Sequence, residues 1–138
     1  MNFEAIVRNL PALLAAILVT ILFIQSGLDK VFDWRGNLEW LTGHFSKTFL
    51  AKFVPILLVT ITIMELAAGL LCAAGIVYFF ITSSTVLIFA AAGIAAISII
   101  SLFFGQRIVK DYAGAATLVH YFILIVILIY LTNPYTRP

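Results

Sequence analysis

The chain has 138 residues, 64% of them hydrophobic and only 10% charged. Soluble domains run at about 45–50% apolar and about 25% charged, and a small one cannot hide this much apolar surface from water, so lipid must solvate much of the chain. The formal net charge of +2 is too small to point to nucleic acid and fits a few basic residues flanking membrane spans.

The first uncharged run covers residues 9–28 and is ended by Asp29, with Pro11 near its start, where a missing N–H costs least. A span needs about 20 apolar residues, so the run suffices. It is long for the apolar part of a cleaved signal, and no A-x-A site precedes Asp29, so it is expected to stay as the first helix.

Residues 29–52 form the one sizeable polar connection, and it is rich in aromatics, among them Trp34, Trp40 and Phe45. Tryptophan favours the headgroup level, and Leu38, Leu41 and Phe45 recur at helical spacing. A short amphipathic helix lying along the interface is expected, either as surface packing or as a lid over a site.

From Phe53 to Gln106 the only charge is Glu65. That stretch suits two spans, with a break in the Gly75–Ser84 region, giving a second helix over about 53–75 and a third over about 82–104. A tight connection makes them antiparallel neighbours. After the polar turn at 105–112, a fourth helix runs over about 113–132 and is stopped by the proline-containing tail. The fold class is therefore all-α, an antiparallel four-helix transmembrane bundle with a short interfacial helix in its first loop. Six basic residues lie in the two polar loops (Lys30, Arg35, Lys47, Lys52, Arg107 and Lys110) against Arg8 and Arg137 near the termini. This bias favours loops in the cytoplasm and termini outside.

Helices in lipid associate through small residues, and each span has them, most densely Ala90 to Ala96. Cys72, the single cysteine, sits in an apolar run and reads as another small packing residue. No Cys/His spacing resembles a zinc, haem or iron–sulfur site.

Glu65 is the residue that composition does not explain. It lies about 18 Å along the second helix, close to the middle of a core about 30 Å thick. A carboxylate there should face the bundle interior and meet a neutralising partner. Gln25, Ser26, Ser98, Ser101, Thr117 and His120 all fall in the same loop-side half of the bundle, and the other half is nearly pure hydrocarbon. His120 is expected to be a satisfied partner of Glu65, or of Tyr112 and Tyr121 nearby, rather than a metal ligand. Two readings stand: a hydrogen-bond network that fixes the packing, or a polar pocket for a ligand or proton.

Three segments carry a family resemblance. Leu-Phe-Ile-Gln-Ser-Gly-Leu-Asp-Lys-Val-Phe (22–32) resembles the close of the first span in the DoxX family. Ile63 to Leu71, with Glu65 followed by Leu66 and a Gly-containing patch, resembles that family's second-helix motif, and Arg107 to Ala115 resembles the start of its fourth helix. The likeness covers about residues 13–131. It implies a four-helix protein of the bacterial inner membrane. The family takes its name from the membrane subunit of a thiosulfate:quinone oxidoreductase, and other relatives act in oxidative-stress complexes or as assembly factors.

The expectation that follows is a small membrane subunit of a redox or quinone-linked complex, working with partner protein subunits. Glu65, Gln25, Lys30 and His120 would line a pocket for a quinone head group, and Lys30 and Arg107 would hold an anion at its mouth. The alternative is a non-catalytic scaffold or assembly factor whose buried polar network is structural. A solute or proton carrier fits less well, since no repeat or broken helix is evident.

Overall fold

The structure, a computed structural model, describes residues 2–136. Arg137, counted above with the termini, lies outside the described residues. Among the described residues every regular element is helical: α1 (Phe3–Arg8), α2 (Leu10–Phe32), α3 (Trp34–His44), a single 3-10 turn at Ala51–Phe53, α4 (Val54–Thr82), α5 (Val86–Ile108) and α6 (Tyr112–Thr132).

Local chemistry explains the boundaries. Pro11 and Pro55 sit in the first turns of α2 and α4, where a proline removes no helical hydrogen bond. The Asp111 carboxylate accepts from the Gly114 N–H at 3.0 Å and starts α6. At the other end of α4, Ser83 takes a left-handed conformation, and its N–H donates to the Phe79 carbonyl at 2.7 Å. The turn after α4 is tied to the end of α6, because the Thr85 hydroxyl donates to the Thr132 carbonyl at 3.1 Å. The second helix was expected to end in the region of Gly75, and this is corrected. Gly75 lies inside α4, and the break falls at residues 83–85.

α2, α4, α5 and α6 are each long and apolar enough to cross a membrane, and among the described residues there are 4 such helices. They run up, down, up and down. α2 packs on α4, α4 on α5 and α5 on α6, and α6 closes more loosely on α2. The chain is thus a multi-pass transmembrane bundle. Its core is made of small and branched side chains, such as Ala16, Val19, Ala68, Ile88, Ala92 and Ala95, all fully buried. In lipid, such residues let backbones come close enough for dispersion to hold the helices together.

Two glycines of α4 set the register. A Cβ on Gly69 would come within 2.8 Å of the Ile24 backbone nitrogen in α2, and one on Gly75 within 2.8 Å of the Ile88 nitrogen in α5. Only glycine permits either approach. Gly75 opposite Ile88 in antiparallel helices puts Ser98 level with Glu65, ten residues along each chain. Gly69 opposite Ile24 likewise puts Leu28 level with Glu65, so Lys30 stands about 3 Å nearer the loop.

α3 does not stand apart from the bundle. It folds back against the start of α4, and the Phe45 ring just past its end sits over Gly105 near the end of α5. The short α1, absent from the sequence expectation, begins with the Asn2 side chain accepting from the Glu4 N–H at 3.0 Å.

Candidate functional site

Glu65 is 1% exposed, within the bundle as its position in an apolar run requires. Its partner is Lys30. The Lys30 ammonium lies 3.1 Å from Oε1 and donates to Oε2 at 3.2 Å. It also donates to the Ser26 hydroxyl at 3.0 Å. Within α2, Ser26 and Lys30 are one turn apart and share a face. The expected partnership of Glu65 with His120 is therefore corrected: His120 is exposed on α6.

The reason lies in the length of α2. The helix continues to Phe32, past the expected end at 28, so Lys30 is helical. A helical side chain leans toward the N-terminus of its own helix. For Lys30 that direction is inward, and its four-carbon stem carries the charge from the membrane edge down to the carboxylate level. Lys30 was expected at the mouth of a pocket with Arg107, and this is also corrected. Arg107 is exposed, and its guanidinium lies over the Tyr112 ring, 4.3 Å from the centroid.

Gln25 is exposed as well. The buried positions of α2 include Val19, Phe23 and Gly27, and Gln25 stands two residues from Phe23, about 200° around the helix. His120 is five residues from both Ala115 and Ile125, two of the buried positions of α6, and so about 140° around the helix from each. Both residues have the predicted depth and the wrong face.

A cavity of about 620 Å³ opens beside the ion pair. Lys30 reaches it from α2, where its side chain remains 16% exposed. The first half of α4 and the last turns of α5 give the cavity mainly apolar walls. α3 covers it with Asn37, Trp40, Leu41 and His44, a single helical face at spacings of three and four residues. Trp40 and Phe104 on its walls are exposed, so the cavity is open and not sealed inside the bundle.

Three polar atoms near this end of the bundle are buried with no hydrogen-bond partner among the described residues: Nε2 of His44, Oγ of Ser98, and Oε1 of Glu65, which has the Lys30 ammonium as its ion-pair partner. His44 is a cavity residue, and its ring is stacked on Trp40 at 4.5 Å between centroids. Sequence reasoning did not single out His44 because the 29–52 segment was weighed by its aromatics and leucines. The available signal was the i, i+3, i+4, i+7 pattern of Asn37, Trp40, Leu41 and His44. Gln106, read as part of a polar turn, also lines the cavity.

The ion pair gives the inner wall no net charge. The ammonium has three N–H donors. One is taken by Ser26 Oγ and another by Glu65 Oε2, and the third is shared between Glu65 Oε1 at 3.1 Å and the Ser26 carbonyl at 3.5 Å, the latter at the limit of a hydrogen bond. That donor can serve a neutral acceptor. No group of three or more metal-ligating side chains occurs among the described residues.

Fold and site together define a polytopic helical membrane protein in which a buried glutamate is paired with a partly buried lysine beside an open, mainly apolar cavity. No protein-family model, curated protein or solved structure matches the chain.

Proposed function

We propose that the chain is a small membrane subunit of a redox or quinone-linked complex in the bacterial inner membrane, and that its cavity takes a neutral, lipid-soluble ligand of the quinone class. One observation carries this reading: the Lys30 ammonium, charge-balanced by Glu65, holds one of its contacts only at 3.5 Å and keeps some exposure at the wall of a cavity of about 620 Å³ whose other walls are mainly apolar. A neutral head that accepts a hydrogen bond matches the balanced pair, and an apolar tail matches the walls. An anion matches less well, because Glu65 already offsets the charge of Lys30 and Arg107 lies outside the cavity. The resemblance of segments 22–32, 63–71 and 107–115 to the DoxX family supports the same reading by analogy.

Titration of the protein, purified in mild detergent, with a decyl ubiquinone tests it. Trp40 lines the cavity, and a Trp34→Phe background leaves it as the sole tryptophan. Saturable quenching of Trp40 is the expected result, and quenching no greater than that of free tryptophan in the same micelles would refute the reading.

The second reading is a scaffold or assembly factor in which the pair only holds helices together. It is favoured by the direct clamp of α2 onto α4 through Lys30 and Glu65.

A further inference from the structure

α6 is the most thinly covered of the four spans, and its buried residues are Ala115, Ile125, Leu128 and Thr132. Its outward face carries Ala113, Ala116, His120, Ile123, Ile127 and Tyr130, all exposed, at alternating spacings of three and four residues. Any lipid-facing stripe has that spacing; what marks this one is an imidazole and two alanines. His120 stands about 12 Å along α6 from Tyr112, inside a hydrocarbon core about 30 Å thick. The exposed hydroxyls at this end of the bundle are answered within their own helices: Thr60, Ser101 and Thr117 donate to the carbonyls of Ile56, Ile97 and Ala113. His120 has no hydrogen-bond partner among the described residues, and neither has the exposed Gln25 of α2. Ionisable side chains inside a span face protein or water and pair there, so a bare imidazole on the outer face calls for a covering helix.

We propose that a second copy of the chain docks on this face, with the two α6 helices parallel about a two-fold axis along the membrane normal. Hydrogen-bond complementarity selects a second copy. Two copies inserted the same way hold His120 at one depth, so a parallel pair brings imidazole to imidazole. A neutral imidazole has one donor and one acceptor nitrogen, so the ring is complementary to itself, and one N–H···N bond links the pair. Ala113 and Ala116, in the turns just before it, let the two backbones approach closely. A seam with alternating spacings of three and four is the one that a left-handed pair of parallel helices uses, and a single polar residue in such a seam fixes its register. The contact is the same patch on both copies, so it closes at two. His120 does not line the cavity, so this contact is independent of the ligand proposed above.

Sedimentation equilibrium of the full chain in a density-matched mild detergent, over a range of protein-to-detergent ratios, tests the contact. The parent should pass from monomer to dimer as the ratio rises. His120→Leu should weaken the dimer by about three- to tenfold, the size of one interhelical hydrogen bond in a membrane protein. His120→Asn, which also donates and accepts, should recover part of that loss. Ala116→Leu should weaken the dimer by holding the helices apart, and Gln25→Leu on α2 should leave it unchanged. These positions are all exposed, so each variant should fold as the parent does. Oxidative cross-linking in native membranes, in a Cys72→Ala background, locates the face. Ala116→Cys should link two copies, and Val119→Cys, exposed but off the seam, should link far less. A chain that stays monomeric at every ratio, or a dimer indifferent to His120→Leu, would overturn the proposal. So would a dimer lost in Gln25→Leu, which moves the contact to α2, or cross-linking at Val119 as strong as at Ala116.

Discussion

The two halves of the bundle satisfy their polar groups in opposite ways. In the half nearer the termini, the Cys72 thiol donates to the Ala16 carbonyl at 3.4 Å, and the Thr132 hydroxyl donates to the Leu128 carbonyl at 2.7 Å. Thr85 reaches the Thr132 carbonyl, and Gly75 brings two backbones together. Every one of these groups is answered by a backbone carbonyl or by close contact. In the loop-side half, a carboxylate is buried against a partly buried lysine, the Ser98 hydroxyl and His44 Nε2 lack hydrogen-bond partners among the described residues, and a cavity lies among α3, α4 and α5. Close backbone contact marks one half, and a cavity interrupts the packing of the other. The interruption coincides with the buried charges, and a bundle built only for stability has no need of it.

The largest test of the contrast is Lys30→Met. It leaves the Glu65 carboxylate buried without compensation, and it should destabilise the protein by about 3–5 kcal/mol in detergent unfolding experiments. Adding Glu65→Leu should restore most of that loss, because a pair replaced by apolar residues of similar volume is often near neutral. A lone Lys30→Met variant as stable as its parent would mean that the pair adds nothing.

In the packed half, Gly75→Ala should cost about 1–3 kcal/mol, since α5 must move away from the new methyl group. Gly93→Ala is the matched control. A Cβ there meets nothing within 4 Å, so helix propensity alone should leave that variant neutral or slightly more stable. Equal losses at both positions in thermal unfolding would dissolve the claim of close contact at Gly75.

Smaller effects sharpen the loop-side picture. Ser98→Ala removes a buried hydroxyl that has no hydrogen-bond partner among the described residues, so stability should stay level or rise by up to about 1 kcal/mol. A clear loss in chemical denaturation would give that hydroxyl a role that the geometry denies it. The smallest effect belongs to His120→Leu and Gln25→Leu. Both side chains are exposed, and each substitution should change stability by less than about 0.5 kcal/mol and leave ligand binding unaltered. A binding defect in either would return that residue to the site.

The fold was legible because lipid imposes length and hydrophobicity on a span, and the four apolar runs carry both. Glu65 was legible for a related reason: one carboxylate in an uncharged stretch stands out, and its cost in hydrocarbon dictates an interior position. Its partner was not. Identifying Lys30 needs the last turn of α2, and a helix end among polar residues leaves little hydrophobic signal. Depth could be counted from the ends of the spans, and it grouped Gln25 and His120 with Glu65. Which face each presents depends on the buried stripe of its own helix, and that is faint where every face is apolar. His44 was obscured by its surroundings, because an amphipathic loop helix reads first as a surface anchor.

The most direct test of the central claim is ligand binding by the double variant Lys30→Met/Glu65→Leu. It keeps the bundle folded and removes the polar pair from the cavity wall, so it separates a binding site from structural glue. The account predicts a stable, monodisperse protein whose affinity for decyl ubiquinone falls by about tenfold or more, the loss of a charge-assisted hydrogen bond. A folded double variant that binds the quinone as its parent does would contradict the account.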